Sequence, residues 1–161
     1  MDRISKHISF QEGCYSSTAL RKGIVNSPSE EVIDRMIAVA SCLFEPLRAG
    51  LGNKPIMISS FFRCPELNAA IGGAKYSQHM YGTAIDLVAI ESTGLTNLII
   101  FEYIRTHLCF DKLILEHPDK YGNPSWVHVS FTSAKRNRGE IYEAYSEGGR
   151  TVYELLDKYI T

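Results

Sequence analysis

The stretch Ser77-Gln78-His79-Met80-Tyr81-Gly82-Thr83-Ala84-Ile85-Asp86 places a histidine and an aspartate seven positions apart, at a turn that leads into an apolar run. Gly82 is a natural turn point, and residues 83–90 are typical of a buried strand. A carboxylate inside such a strand is costly to bury unless a cation or a hydrogen-bond donor meets it. Asp86 therefore requires a partner, and a metal ion is one answer.

A second histidine lies downstream, in Ser125-Trp126-Val127-His128-Val129-Ser130. Strand alternation puts His128 on one face with Trp126 and Ser130. Catalytic zinc sites use three protein ligands and keep a fourth position open for water, and imidazole and carboxylate are both suitable ligands. We therefore hypothesise that one Zn²⁺ ion is bound by His79, Asp86 and His128.

The spacing alone leaves ordinary explanations open. A histidine and an aspartate at this distance occur in many domains, and a single histidine is more often a surface or core residue than a ligand. The most common zinc-protease signature, His-Glu-x-x-His, does not occur in the sequence. On the residues alone, a zinc site and a domain without any metal both remain.

The wider sequence resembles the zinc D-Ala-D-Ala carboxypeptidase-like peptidases, the peptidase M15 family, which includes phage-type L-alanyl-D-glutamate endopeptidases. The stretch Ser60-Phe61-Phe62-Arg63-Cys64-Pro65-Glu66-Leu67-Asn68-Ala69-Ala70-Ile71-Gly72-Gly73 leads into the opening stretch. The family pattern is S-x-H, then G-x-A-x-D, then a late W-x-H, and all three parts occur here in that order. The resemblance covers nearly the whole chain. It implies a zinc site at His79, Asp86 and His128 and hydrolysis of a peptide bond in bacterial peptidoglycan.

The same resemblance implies residues that bind the substrate. The arginine that matches Arg63 contacts the carboxylate or backbone of the substrate, and a forked guanidinium suits a carboxylate. The matching serine, Ser77, also contacts substrate, and Gln78 is placed to do the same. On the bare sequence, a surface salt bridge is the ordinary role of Arg63 and a helix cap that of Ser77.

The catalytic acid/base departs from the family pattern. Several members carry an acidic residue three positions before the last histidine, where this chain has Ser125, and serine cannot take that role at neutral pH. Peptide hydrolysis needs a group that takes a proton from water and passes it to the leaving amine. We predict Glu116 for this role, because it ends the strand expected to pair with that of His128. Asp119 is a weaker candidate, and an exposed strand-end carboxylate is the ordinary alternative for Glu116.

The periodicity predicts one α+β domain over residues 1–161, with a mostly antiparallel central sheet and flanking helices. This agrees with the Hedgehog/DD-peptidase-like fold that the resemblance implies. Short N-terminal helices are expected to start at a capping box formed by Ser9 and Glu12. A long helix should follow over about residues 29–49, end at Gly50 or Gly52 and be kinked by Pro46.

Later elements alternate between strands and one helix. A second long helix is expected to be capped by Ser92 or Thr93, with His107 structural or exposed near its end. Strands are predicted over residues 55–62, 83–90, 110–116 and 126–131, and a closing hairpin over residues 140–156. His117, beside a proline in a turn-rich loop, is a minor candidate for contact with substrate.

The composition describes an ordinary globular domain and excludes some functions. The 161 residues are 45% hydrophobic and 22% charged, and the formal net charge of -1 argues against nucleic-acid binding. No apolar run reaches the roughly 18 residues of a membrane span, and no signal peptide is visible at the N-terminus. We expect a monomer made in the cytoplasm that acts on the cell wall, released there by phage lysis.

Four cysteines, Cys14, Cys42, Cys64 and Cys109, are scattered without a C-x-x-C pair. We expect them to be free buried thiols, with a cysteine–zinc site or a cysteine nucleophile as alternatives. Three functional alternatives also remain. The bond cleaved is either D-Ala-D-Ala or L-Ala-D-Glu; the chain is instead a catalytically impaired, zinc-containing peptidoglycan-binding module; or it is a domain without metal.

Overall fold

A six-stranded sheet forms the centre of the fold in the computed structural model, which describes residues 2–158. All neighbouring strands are antiparallel except β3 and β5, which are parallel. In chain order the strands are β1 (Ile56–Ser60), β2 (Ala84–Ala89), β3 (Lys112–Glu116), β4 (Trp126–Ser130), β5 (Glu140–Glu147) and β6 (Arg150–Lys158). Their order in the sheet is β1-β2-β4-β3-β5-β6. The predicted α+β class and the closing hairpin are confirmed.

Six α-helices flank the sheet within the described residues. They are α1 (Phe10–Cys14), α2 (Ser17–Lys22), α3 (Glu30–Val39), α4 (Glu45–Gly50), α5 (Pro65–Ala70) and α6 (Asn97–His107). The predicted capping box starts α1: the Ser9 hydroxyl accepts from the Glu12 backbone, and the Glu12 carboxylate accepts from the Ser9 backbone. The short N-terminal helices are therefore confirmed.

The long helix predicted over residues 29–49 is present, but a wide π-turn over Ala40–Phe44 joins α3 to α4. Pro46 lies two residues after the end of this turn. Proline has no backbone N–H and cannot continue the regular helical bond pattern, and single π-turns inside helices relieve such conflicts. The helix then ends at Gly50, at one of the two predicted glycines.

The predicted cap of the second long helix is wrong. Residues Glu91–Thr93 form a separate 3₁₀ turn, which ends at Gly94 in the left-handed conformation. The cap of α6 is Thr96, whose hydroxyl accepts a hydrogen bond from the Ile99 backbone N–H. Ser92 and Thr93 precede Gly94, whose left-handed conformation ends the turn before α6 begins, so neither can cap α6.

The hydrophobic core fills the space between the helices and one face of the sheet. Side chains from α3, the π-turn, α4 and α6 pack there against alternate strand residues. The strand residues on this buried face include Ile85, Leu87, Leu113, Leu115, Val127 and Val129. Because side chains alternate along a strand, the intervening residues of β2, β3 and β4 point to the opposite face. That second face carries the polar residues singled out by the sequence.

The four cysteines are free, as expected, but their expected burial is wrong for two of them. Cys42 and Cys109 are exposed, whereas Cys14 and Cys64 are half-buried. Cys42 lies on the outer side of the π-turn, and Cys109 lies in the connection after α6, so neither reaches the core. Of the described helices, none has the length and apolar character needed to cross a membrane.

We predict that Gly82→Ala destabilises the fold more than Gly94→Ala. Both glycines have a positive φ, which should cost an alanine about 1 kcal/mol at either position. A methyl group at position 82 would also lie 2.8 Å from the Val32 backbone carbonyl oxygen, whereas position 94 is open. The clash should add about 1–3 kcal/mol, measured by urea unfolding. Equal losses for the two variants would contradict this account.

Candidate metal centre

Asp86 and His128 face each other across neighbouring strands. They are register partners in the antiparallel pair β2 and β4, so both side chains leave the same face of the sheet. The Nδ1 atom of His128 lies 2.8 Å from Oδ1 of Asp86. Two residues that are 42 positions apart in sequence are thus fixed together by backbone pairing alone.

His79 reaches the same point from the loop before β2. It lies on a 3₁₀ turn, Gln78–Tyr81, that ends at Gly82 in the left-handed conformation. The backbone N–H of Arg63 donates to the His79 carbonyl, and Nδ1 of the ring contacts the Phe61 carbonyl oxygen at 2.7 Å. These contacts orient a side chain that is only 1% exposed.

The ring of His79 is directed so that Nε2 faces the other two residues. This atom lies 3.2 Å from Nδ1 of His128 and 3.2 Å from Oδ2 of Asp86. The carbonyl of Phe61 requires a proton on Nδ1 of His79, which leaves a lone pair on Nε2 of the neutral ring. Lone pairs of imidazole and carboxylate therefore point at one another.

This donor set fits a divalent cation. One ligand atom from each of His79, Asp86 and His128 lies within 4.8 Å of the others. A single proton on His128 cannot satisfy every lone pair in the cluster, but a cation between the three atoms can. The Phe61 carbonyl is also the kind of outer partner that fixes the tautomer of a metal-binding histidine.

The electrostatic balance at Asp86 favours the carboxylate form. Burial raises the pKa of Asp86, but in the metal-free cluster the charge and hydrogen bonds that His79 and His128 supply when protonated outweigh it and hold the pKa below the ordinary range. The group is therefore ionised at neutral pH, as a metal ligand must be.

An open cleft of about 420 Å³ lies over the three residues. Glu116 lines the cleft and is 5% exposed. Burial raises the pKa of Glu116 to about 7; His128 and Arg63 lower it and Asp86 raises it. Glu116 is thus a second carboxylate in the cleft, held in a different environment from the first.

The three residues predicted to bind substrate all line the cleft. The Arg63 guanidinium donates to the Ser77 hydroxyl at 3.4 Å, and its buried Nε atom has no hydrogen-bond partner within the described residues. The Ser77 side chain makes no hydrogen bond that caps the 3₁₀ turn after it. The Gln78 amide donates to the Asp111 carboxylate at 3.0 Å, so it also supports the loop that carries His79. Their contacts with substrate remain predictions.

Asp111 is a residue that the sequence reasoning missed. It is buried and accepts hydrogen bonds from Gln78, from Ser130 and from both the backbone and the guanidinium of Arg138. It thereby joins the His79 loop, strand β4 and the loop after β4. Nothing in its local sequence signals this role, because its partners are distant along the chain.

Several residues that line the cleft were also not predicted. Trp126, Lys112, Tyr142 and Tyr153 contribute to its walls. Alternation along β3 could have identified Lys112, which shares a face with Ile114 and Glu116. The two tyrosines belong to β5 and β6, and only the parallel pairing of β5 with β3 brings them to the cleft.

The remaining candidates are not among the residues that line the cleft. His107 is exposed at the end of α6, as predicted, and its ring stacks on that of Tyr103. The ring of His117 packs against Trp126. Ser125 is exposed and its hydroxyl donates to the His117 carbonyl, and Asp119 accepts from the backbone of its own loop.

Two imidazoles and a carboxylate beneath an open cleft, with a further carboxylate beside them, form a metallopeptidase-type centre. The comparison with known proteins agrees: the sequence model of the peptidase M15 family matches residues 6–130, and the chain belongs to this family of zinc-dependent metallopeptidases. The predicted family resemblance is confirmed.

A similar curated protein is named zinc D-Ala-D-Ala carboxypeptidase, from Streptomyces albus G. The two sequences are 44% identical over 45 residues. This segment covers 28% of the present chain and 18% of the relative. The matched segment therefore spans a small part of either protein.

We predict that His79→Ala and Asp86→Ala each lose bound zinc. Removing one of three ligands should reduce the content from about one ion per chain to near zero after dialysis. The matched control is His107→Ala, which removes an exposed histidine on α6. Elemental analysis of the dialysed proteins gives the result. Unchanged zinc content in the two ligand variants would rule out this site.

We also predict that Glu116 destabilises the metal-free protein at high pH. The folded state binds the Glu116 proton more tightly than the unfolded chain, so stability is full below the ordinary pKa of 4.5 and is lost as pH rises through about 7. Glu116→Gln should therefore stabilise the chelator-treated protein at about pH 8, by up to about 3 kcal/mol, and have little effect at about pH 4. Urea unfolding at both pH values tests this, and equal stability at the higher pH would contradict it.

Proposed function

We propose that the protein hydrolyses a peptide bond in the stem peptides of bacterial peptidoglycan, with zinc bound by His79, Asp86 and His128. The observation that carries the proposal is the convergence of these three residues beneath a cleft that also holds Glu116 and Arg63. The segment similar to a zinc D-Ala-D-Ala carboxypeptidase supports the substrate class.

Zinc bound by such ligands polarises a peptide carbonyl and lowers the pKa of a bound water molecule. The protein itself supplies the proton transfers. Glu116 accepts a proton from the attacking water and donates it to the departing amine, and burial, which raises the pKa of Glu116 in the metal-free protein, favours a carboxyl that can both take and return a proton. Position 125 cannot replace it, since the Ser125 side chain is exposed and bonded to the carbonyl of His117.

Arg63 is proposed to hold the carboxylate of the substrate. Burial lowers the pKa of Arg63, opposed by Asp86, Tyr153 and Glu116, and its group stays positively charged beside the cleft. Its Nε atom is unpartnered within the described residues, and the Ser77 hydroxyl accepts from its other end. Both candidate bonds, D-Ala-D-Ala and L-Ala-D-Glu, carry a carboxylate on the residue that follows the scissile bond, so one arginine serves either.

We predict that the zinc-loaded protein releases products from purified muropeptides and that mass spectrometry identifies the bond. Loss of a terminal D-Ala would show a carboxypeptidase, and release of a fragment that begins with D-Glu would show an endopeptidase. Glu116→Gln should keep zinc and lower kcat by about 10²- to 10⁴-fold. The control is Asp119→Asn, which alters an exposed loop carboxylate outside the cleft.

Full activity of Glu116→Gln would reject the role assigned to Glu116. Tight binding of muropeptides by the wild-type protein without any product would instead support a zinc-containing binding module that has lost catalysis. The cell wall as the place of action follows from this substrate class and is tested by lysis of whole cells from outside. Delivery by phage lysis and a monomeric state are further parts of the proposal.

A further inference from the structure

The family match ends at residue 130, yet the sheet continues beyond it through β5 and β6. This closing hairpin places two tyrosines in the wall of the cleft. We propose that Tyr153 is a substrate-binding residue, whose phenol donates a hydrogen bond to a backbone carbonyl of the substrate peptide on the Glu116 side of the cleft. The inference rests on the proposed function and adds a residue outside the family match.

Register places Tyr153 in line with Glu116. Glu116 pairs with Ala144 in the parallel pair β3 and β5, and Ala144 pairs with Tyr153 in the antiparallel pair β5 and β6. Register partners share a face, so the three side chains form one row across three strands. With strands about 4.8 Å apart, the backbone of Tyr153 lies about 10 Å from that of Glu116.

The residue between them is small enough to let the tyrosine ring cross it. Ala144 is 0% exposed, although Tyr153 beside it is 54% exposed. A larger side chain at position 144 would occupy the space between the phenol and Glu116. Tyr153 also lines the cleft itself, so its ring is directed toward the catalytic face and partly open to solvent there.

The phenol of Tyr153 is available to a ligand. Among the described residues it makes no hydrogen bond, whereas the phenol of Tyr142, the other cleft tyrosine, donates to Glu140. Burial raises the pKa of Tyr153, and the charges of Glu116 and Asp86 raise it further, against Arg63. The phenol therefore remains a hydrogen-bond donor at the pH at which Glu116 exchanges its proton.

The row continues on the other side of Glu116. Trp126 is the register partner of Glu116 on β4 and also lines the cleft. Glu116 thus lies between an indole ring and a phenol ring. A peptide that presents its scissile bond to Glu116 would pass between the two rings, where aromatic faces give apolar contact and the phenol gives directional contact.

The test compares Tyr153→Phe with Tyr145→Phe. Tyr145 belongs to the same hairpin but alternates to the opposite face from Ala144. Loss of one neutral hydrogen bond should raise KM for the muropeptide about 3- to 10-fold with kcat nearly unchanged, because the contact is made in both the ground state and the transition state. Tyr145→Phe should leave both constants unchanged. Zinc content and melting temperature should be the same in all three proteins.

A binding measurement separates this inference from the proposed function. Calorimetry in the zinc-loaded Glu116→Gln background should show the same 3- to 10-fold weakening of muropeptide binding on adding Tyr153→Phe, about the loss expected for one hydrogen bond. Cleavage by the wild-type protein with no change of Kd or KM in Tyr153→Phe would overturn the role of Tyr153 alone. Binding without cleavage would overturn the proposed reaction. The ratio of the muropeptide Kd values with and without Tyr153→Phe would then still test whether Tyr153 binds the substrate. Neither binding nor cleavage would overturn both.

Discussion

The pairing of Asp86 with His128 across two antiparallel strands is the constraint on which the site depends. A buried carboxylate is costly unless charge or hydrogen bonds compensate for it, and the two imidazoles supply both. The backbone ladder between β2 and β4 fixes the pair before any ligand arrives. Removal of either strand residue would leave the other buried, with His79 as its remaining partner in the cluster.

The third member of the cluster, His79, is held by loop contacts and not by strand pairing. His79 comes from a loop, and a loop residue is precise only when its neighbours restrain it. The Phe61 carbonyl orients its ring, the Arg63 N–H anchors its backbone, and Gly82 allows the chain to turn at once into β2. The same short segment after β1 therefore positions His79 and carries the arginine assigned to the substrate.

Much of the fold and the three clustered residues could be predicted, because their signals are local or carried by a motif. The Ser9 capping box, the apolar stripe of the long helix and the alternation around His128 all depend on residues close in sequence. The cap of α6 was missed because Gly94 ends a separate turn that competes with Ser92 and Thr93. Exposure of Cys42 was missed because its burial was inferred from cysteine usage, although the apolar stripe of Val39, Leu43 and Leu47, which is buried, leaves Cys42 off its face.

Other parts of the site could not be predicted from local patterns. Asp111 accepts hydrogen bonds from three separate segments of the chain. None of these segments has a local sequence pattern that indicates the contact. Tyr153 reaches the cleft only because β5 lies parallel to β3, a pairing that joins strands separated by β4. Non-local strand pairing of this kind decides which face of a hairpin lines the cleft. Hydrophobic alternation along a strand does not predict that pairing.

The two carboxylates of the cleft lie in different environments on one sheet face, as their two proposed roles require. Asp86 lies between two imidazoles, which hold its pKa low, whereas Glu116 is buried beside aromatic rings and its pKa rises to about 7. Environments that separate the pKa values of neighbouring acids indicate their separate roles. A bound cation would lower both values, but most strongly that of the carboxylate it contacts. The pKa of Asp86 therefore stays below that of Glu116, which agrees with the proposed roles of Asp86 as a metal ligand and Glu116 as the group that exchanges a proton.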